Sequence, residues 1–273
     1  MNMKDMFSYC TLIYDGSELP KAFEHIKKAG YDGVELYEKD WRWGIKQLGQ
    51  KGFKKLFNKS GLKVSALFGG IIKNESSLSV VKEAADIAEF LGSRYIFAVS
   101  PQKDCIDKDG FLKGVDIACD YLQKKDIQLV IHNHAGTYME SPKKTMTVCT
   151  KIQKMNFGIC FDSVHFALFE DNLIGWLDEL IKYIKYVHLK DMKLTRLEFY
   201  KKRPVEEWRW GDLDHLWEEY TNLEEGVLDN RSIAVRLKKL GYSGWWIPEV
   251  ERKEYDRQQH AYNNIRRLKS YFK

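Results

Sequence analysis

The stretch LVIHNHAGTYMES, residues 129–141, runs three apolar residues into two imidazoles, His132 and His134, and reaches a carboxylate at Glu140. Imidazole and carboxylate groups set this close suit a divalent-metal site or an acid–base pair, although a polar loop after a buried strand would carry the same letters. Other apolar runs end in a similar way. GVELYE carries Glu35, FDSVH carries Asp162 and His165, VHLKD carries His188, Lys190 and Asp191, and PEVE carries Glu249 and Glu251. Each has an ordinary alternative. An Asp after an apolar run caps a helix or makes a turn, a lone His is hydrogen-bonded structure, and Lys190–Asp191 reads equally as an exposed ion pair. Chance, however, would scatter such groups over both strand ends, and here they gather at one. The chemistry that fits the set is a divalent ion held by carboxylate oxygens and imidazole nitrogens, with Mn, Co, Zn or Mg as candidates, since no thiolate set selects structural zinc. Such an ion holds a hydroxyl and an adjacent carbonyl together and eases loss of the intervening C–H proton to a neighbouring carboxylate, His or Lys.

The elements that would present these groups follow from hydropathy. Candidate strands lie at 7–14, 33–37, 63–69, 94–100, 128–133, 157–162, 184–191 and 245–251, with apolar runs more continuous than alternating, as in strands buried on both faces. Amphipathic helices are predicted at 17–30, 79–92, 111–125, 141–155, 172–184, 231–241 and 256–272, the first with Ser17 as N-cap, Pro20 in its first turn and Gly30 beyond its end. Eight strand–helix repeats predict an α/β fold, a closed (β/α)8 TIM barrel, as a single domain over residues 1–273. An open doubly wound sheet is the alternative, but it needs no eighth strand. The interval before the last strand is about twice the others, and its aromatic, charged segment 192–222 reads as an insertion over the active face. In such barrels that face is built from the carboxyl ends of the strands, where the groups above fall.

Composition sets the remaining bounds. The 273 residues are 44% hydrophobic and 30% charged, as in ordinary soluble globular proteins. The net charge of +5 is spread over helical stretches such as KKLFNKSGLK, which suggests solvated surfaces and no nucleic-acid partner. Cys10, Cys105, Cys119, Cys149 and Cys160 are widely spaced without a CxxC pair, as expected for reduced, buried thiols. The N-terminal MNMKDMFSYCTLIYDG has no signal-peptide core, and no apolar run reaches transmembrane length. A soluble cytoplasmic protein without a membrane partner is the expectation.

Taken in order, FDSVHF, YVHLKD, LEEGVLDN and GYSGWWIPEVE resemble the xylose-isomerase-like barrel superfamily of sugar epimerases and isomerases, inosose dehydratases and endonuclease IV-class repair enzymes. The resemblance covers essentially the whole chain and is weakest over 192–222. It implies metal ligands at Asp162, His188 and Glu249, with His165 near substrate and Lys190 beside the metal histidine. Strand five departs from the epimerase pattern Glu-Asn-His, whose Glu binds the metal, because this chain has His132-Asn133-His134. HNHAGT fits instead the H-x-H-x-G-T form of inosose dehydratases, and PEVE resembles their E-x-E. The fourth ligand is either Glu140, folding back from eight residues beyond His132, which stands first, or His132 itself. The ordinary alternative for Glu140 is an acid favoured at the start of the helix that follows. His134, Lys190 and Glu249 are then the expected catalytic groups, with Glu35, His165 and Glu251 at the substrate.

Two W-R-W copies, Trp41–Trp43 and Trp208–Trp210, sit on presumed active-face loops. They could wall a sugar ring or close a lid, with Trp43 and Arg209 (or Arg42) on substrate, or simply pack on the barrel rim. No Gly-rich phosphate loop is evident. The leading expectation is a metal-dependent isomerase or epimerase acting on a free sugar or polyol ketone. A lyase that dehydrates a keto-inositol or 3-keto sugar is the runner-up, and both begin with proton abstraction next to a carbonyl. A repair endonuclease would need more ligands than seven His supply at strand ends and a concentrated basic surface. A carbohydrate-binding barrel without chemistry is the remaining reading. The expected partner is a small sugar or cyclitol, with a homodimer through exposed aromatic loops as a further expectation.

Overall fold

The computed structural model describes residues 5–104, 107–202, 214–249 and 256–273. Strands β1 (Met6–Cys10), β2 (Gly33–Leu36), β3 (Lys63–Ile71), β4 (Tyr95–Val99), β5 (Gln128–His132), β6 (Phe157–Asp162) and β7 (Ile184–Leu189) lie side by side in parallel. Two short strands, β8 (Asp191–Met192) and β9 (Tyr220–Thr221), then precede β10 (Trp245–Pro248). β10 pairs with both β7 and β1 and closes the barrel in the order β1-β10-β7-β6-β5-β4-β3-β2.

The continuous apolar runs hide a period of two. Cys10, Ala66, Phe97, Val130, Cys160, Tyr186 and Ile247 pack together inside the barrel. Their chain neighbours, such as Leu129, Ile131, Ile159, Phe161, Val187 and Trp246, pack in the outer core against the helices. Successive residues of a strand point to opposite faces. Two residues beyond Val130, Cys160, Tyr186 and Ile247 come His132, Asp162, His188 and Glu249, so local strand geometry sends all four into the barrel mouth.

The outer layer consists of α1 (Leu19–Ala29), α2 (Glu38–Ser60), α3 (Ser79–Leu91), α4 (Lys108–Gln123), α5 (Pro142–Cys149), α6 (Ser163–Ala167), α7 (Leu173–Leu180), α8 (Arg196–Lys202), α9 (Asp214–Glu219), α10 (Asn230–Lys239) and α11 (Arg257–Ser270). Side-chain caps start several of them: Asp107 accepts from Gly110 N–H, Asp229 from Ser232 N–H and Asp256 from Gln258 N–H. Ser17 is not such a cap, because it lies in a 3₁₀ turn, Gly16–Glu18, ahead of α1. The predicted helix at 141–155 ends at Cys149. No helix among the described residues is long and apolar enough to cross a membrane.

The largest departure from expectation is α2. Three glycines, Gly44, Gly49 and Gly52, interrupt its helical pattern, and the helix kinks at Gly49, where φ is 65°. Trp41 and Trp43 therefore lie on a helix instead of a loop. Trp41 is fully buried and donates Nε1–H to the Phe68 carbonyl at 3.1 Å. Trp43, expected at the substrate, packs against Gly16, where an added Cβ would come within 2.4 Å of its own Cβ. Arg42 pairs with Glu38 and Glu83 at the surface.

The described residues after β7 pack beside the carboxyl ends of β5 and β6. β8 and β9 pair antiparallel, and Met192, Phe199, Leu216 and Tyr220 pack with Ala135, Val164 and Leu168, which follow β5 and β6. Asp191 is buried, not an exposed ion-pair partner. Its carboxylate accepts the N–H groups of Met192, Gly226 and Leu228 at 2.9, 3.1 and 3.1 Å, tying the loop after β9 to the strand end. Burial pushes its carboxyl up to about 6, against the pull of those amides.

Candidate metal and acid–base site

At the mouth, His132, Asp162, His188 and Glu249 each offer a ligand atom, and these atoms all lie within 4.8 Å of one another. Register brings this about: His132 pairs with Cys160, and Asp162 pairs with His188, which also neighbours Ile247 of β10. Asn133 fixes the β5–β6 edge, accepting Asp162 N–H at 2.7 Å and donating to the Asp162 carbonyl at 3.1 Å. His188 Nε2 hydrogen-bonds Glu35 Oε2 at 2.8 Å, so Glu35 braces the imidazole from behind, as carboxylates brace metal-binding histidines.

The other ring nitrogen tests whether a cation fits. His188 Nδ1 lies 2.7 Å from Glu249 Oε2, which also receives Lys190 Nζ at 2.9 Å, so both ring nitrogens of His188 face carboxylates. Burial opposes a charge on His188, but Cys160, Glu35 and Glu249 outweigh it and hold its pKa well above the ordinary value. Burial would likewise raise Asp162 and Glu249, but Lys190 foremost keeps both carboxyls low, helped by His132 for Asp162 and by His188 for Glu249. Three buried carboxylates, Glu35, Asp162 and Glu249, are thus set against the His188 ring and the Lys190 ammonium. A divalent ion in place of a proton on Nδ1 would match the remaining excess of carboxylate charge and the donor set of two imidazoles and two carboxylates.

Beside this group stands a wall of nitrogen. Lys190, 1% exposed, puts Nζ 2.9 Å from Glu249 Oε2, 3.3 Å from Asp162 Oδ2 and 3.5 Å from His165 Nε2. The Tyr220 ring lies over the ammonium at 5.1 Å. His134 and His165 lie with ring centroids 4.0 Å apart. His134 Nδ1 lies 2.8 Å from the Ala135 carbonyl and donates to it, which leaves Nε2 as its basic atom. Burial, then His132 and Lys190, push the His134 pKa down to about 3. Burial, then His134 and Lys190, hold His165 well below its ordinary value.

Glu140 is not brought into the metal-type group. Its Oε1 accepts from Lys144 Nζ at 2.6 Å and its Oε2 from Gly136 N–H at 3.1 Å, with Lys103 Nζ 3.6 Å away. The turn after β5 closes on this carboxylate, and the ligand-type atom that β5 brings into the group is that of His132. Glu35, expected to touch substrate, is fully buried against His188. Arg209 and Glu251, with Trp208 and Trp210, lie outside the described residues. Two residues that sequence reasoning passed over also reach Glu249: Tyr37 donates its hydroxyl to Oε1 at 2.9 Å, and Cys10 donates its thiol at 3.4 Å. Both stand at or just past a strand's carboxyl end, which was the available signal. The opposite barrel end has a broad depression walled by Lys54, Lys63, Arg94, Lys182 and Lys185, with no carboxylate or imidazole among the described residues lining it. It holds cations but no acid–base set.

A family model described as a xylose isomerase-like TIM barrel matches residues 23–271. An inosose dehydratase of Mesomycoplasma hyopneumoniae (strain 7448) is 24% identical over 254 residues, covering 85% of this chain and 80% of that protein. Among solved structures, the IOLI protein with a bound zinc atom superposes with a TM-score of 0.74 at 18% identity, over 98% of this chain and 96% of that one. A D-allulose 3-epimerase from Methylomonas sp. in complex with D-allulose gives 0.75 at 14% identity, over 98% and 97%. At these identities the two structures speak for the fold alone.

Proposed function

This chain belongs to the xylose isomerase-like TIM barrel family, and from that premise we propose that it is a metal-dependent lyase that removes water from a keto-inositol or related keto sugar. The observation that carries this reading is the asymmetry of the mouth: carboxylates on β6 and β10 stand beside an imidazole–ammonium wall of His134, His165 and Lys190. His132, Asp162, His188 and Glu249 would hold the ion. When bound, it would supply Lewis-acid polarisation of the substrate carbonyl. His134 Nε2, the basic atom once Nδ1 donates to Ala135, takes the proton from the carbon next to that carbonyl. The electron pair forms the new double bond as the hydroxyl on the following carbon departs. Lys190 Nζ, charged between Asp162 and Glu249, gives that hydroxyl a proton, so water leaves. The Tyr220 ring covers the Lys190 ammonium, which is 1% exposed, and so limits its contact with water. The named relatives with a dehydratase activity support this reading, as does the HNHAGT stretch.

An isomerase or epimerase is the second reading. It is favoured by Glu249, which follows directly on β10, three strands round the barrel from β5, and could return the proton from the side away from His134. Incubating metal-loaded protein with keto-inositols and ketohexoses in D2O separates the two. Products lighter by one water support the lyase; solvent deuterium gained without loss of water supports the isomerase. Neither change across the panel refutes both. Asp162→Asn and His188→Ala are expected to abolish metal retention while circular dichroism stays that of the folded barrel; full metal occupancy in both would refute the site.

A further inference from the structure

We propose that His132 sets the metal preference of this site, turning it from magnesium and manganese toward nitrogen-favouring ions such as zinc and cobalt. The inference rests on the metal-site reading above and concerns which ion the site takes. Strand β5 offers an imidazole where an oxygen donor would harden the site. His132 Nε2 lies 3.2 Å from Asp162 Oδ2, and the His132 and His188 ring centroids are 5.1 Å apart, so the group presents two nitrogens and two carboxylates. No further carboxylate comes from the β5 turn, because Glu140 is already held by Gly136 and Lys144.

Two more features act in the same direction. Lys190 already lies on the Asp162 and Glu249 oxygens, lowering the charge density that a hard ion needs. Cys160, the register partner of His132 on β6, forms a second close group with His132 and His188, so on this side of the site the neighbouring donor atom is sulfur. Mg2+ prefers oxygen ligands and sheds its water reluctantly, and Mn2+ sits low in the affinity order for divalent ions. Imidazole suits zinc and its neighbours. The Asn133 clamp holds the end of β5 against Asp162, so the nitrogen is fixed in place.

Almost any site prefers zinc to manganese to some degree, so the informative quantity is the change in that ratio. The metal-stripped parent, His132→Glu and His132→Gln are each equilibrated with equimolar Zn2+, Mn2+ and Mg2+, desalted, and read by elemental analysis and thermal shift. The zinc-to-manganese occupancy ratio is expected to fall at least about tenfold in His132→Glu. An unchanged ratio in metal-holding variants overturns the proposal and leaves the metal site standing. No metal in the parent overturns both. Should neither variant fold, pulsed EPR of the Cu2+-loaded parent counts coordinated imidazoles: two are expected, and one overturns the assignment.

Discussion

Replacing Glu35 by Gln tests the bracing of His188 with little change in volume. Glu35 Oε2 lies 2.8 Å from His188 Nε2, and both side chains are fully buried. The Gln carbonyl can still accept that N–H, so the ring keeps its orientation and loses only the carboxylate's support for its basicity. Replacements of this kind cost roughly 10- to 100-fold in metal affinity, or about 1.4–2.7 kcal/mol. The retained hydrogen bond places Glu35→Gln near the lower figure. Glu35→Ala, which strands a buried N–H, belongs near the upper one. The metal-free protein should lose stability as well, because Glu35 is one of the carboxylates that hold the buried His188 in its charged form and neutralising it weakens that ion pair. Zinc affinity by chelator competition and urea unfolding of the stripped protein give the two readings. Unchanged affinity in both variants would refute the argument that Glu35 acts through His188. Lower stability with unchanged affinity would make it a packing residue.

Two further outcomes follow from groups outside the metal cluster. Asp191→Ala removes the acceptor of three backbone N–H groups and should cost about 3 kcal/mol, with faster proteolysis at the 222–228 loop; an unchanged urea midpoint would contradict the clamp. His260 is pushed down to about 4, mainly by burial, whereas the unfolded ring titrates near ~6.5. Its contribution is therefore fully present above the unfolded value and is lost as pH falls from about 6.5 to about 4, up to about 3 kcal/mol in all. Urea unfolding at neutral and mildly acidic pH should show a smaller acid loss in His260→Gln than in the parent, and equal losses would refute the assignment.

Much of the barrel is local, and that part is legible. The strand runs FGICFD and YVHLKD show where buried strands end, and the period of two along a strand sends Asp162 and His188 inward whatever packs around them. The eighth strand was legible for the same reason, although the chain spends a long segment before reaching it. Helix α2 was not, because its three glycines suppress the helical pattern and only packing of Trp41 and Phe53 into the outer core secures it.

Choices between distant partners lay beyond the letters. Glu140 and His132 carry equally good ligand chemistry. What separates them is that the turn after β5 folds Glu140 onto Gly136 and Lys144, while the β5–β6 register leaves His132 beside Asp162. In the same way Glu35 meets His188 across 153 positions of sequence, and Tyr37 meets Glu249 across 212. The sequence by itself determined which residues reach the mouth, since a strand's alternation is a property of its own backbone. Only the closed barrel decided which of them touch, because that depends on the stagger of strands far apart in the chain.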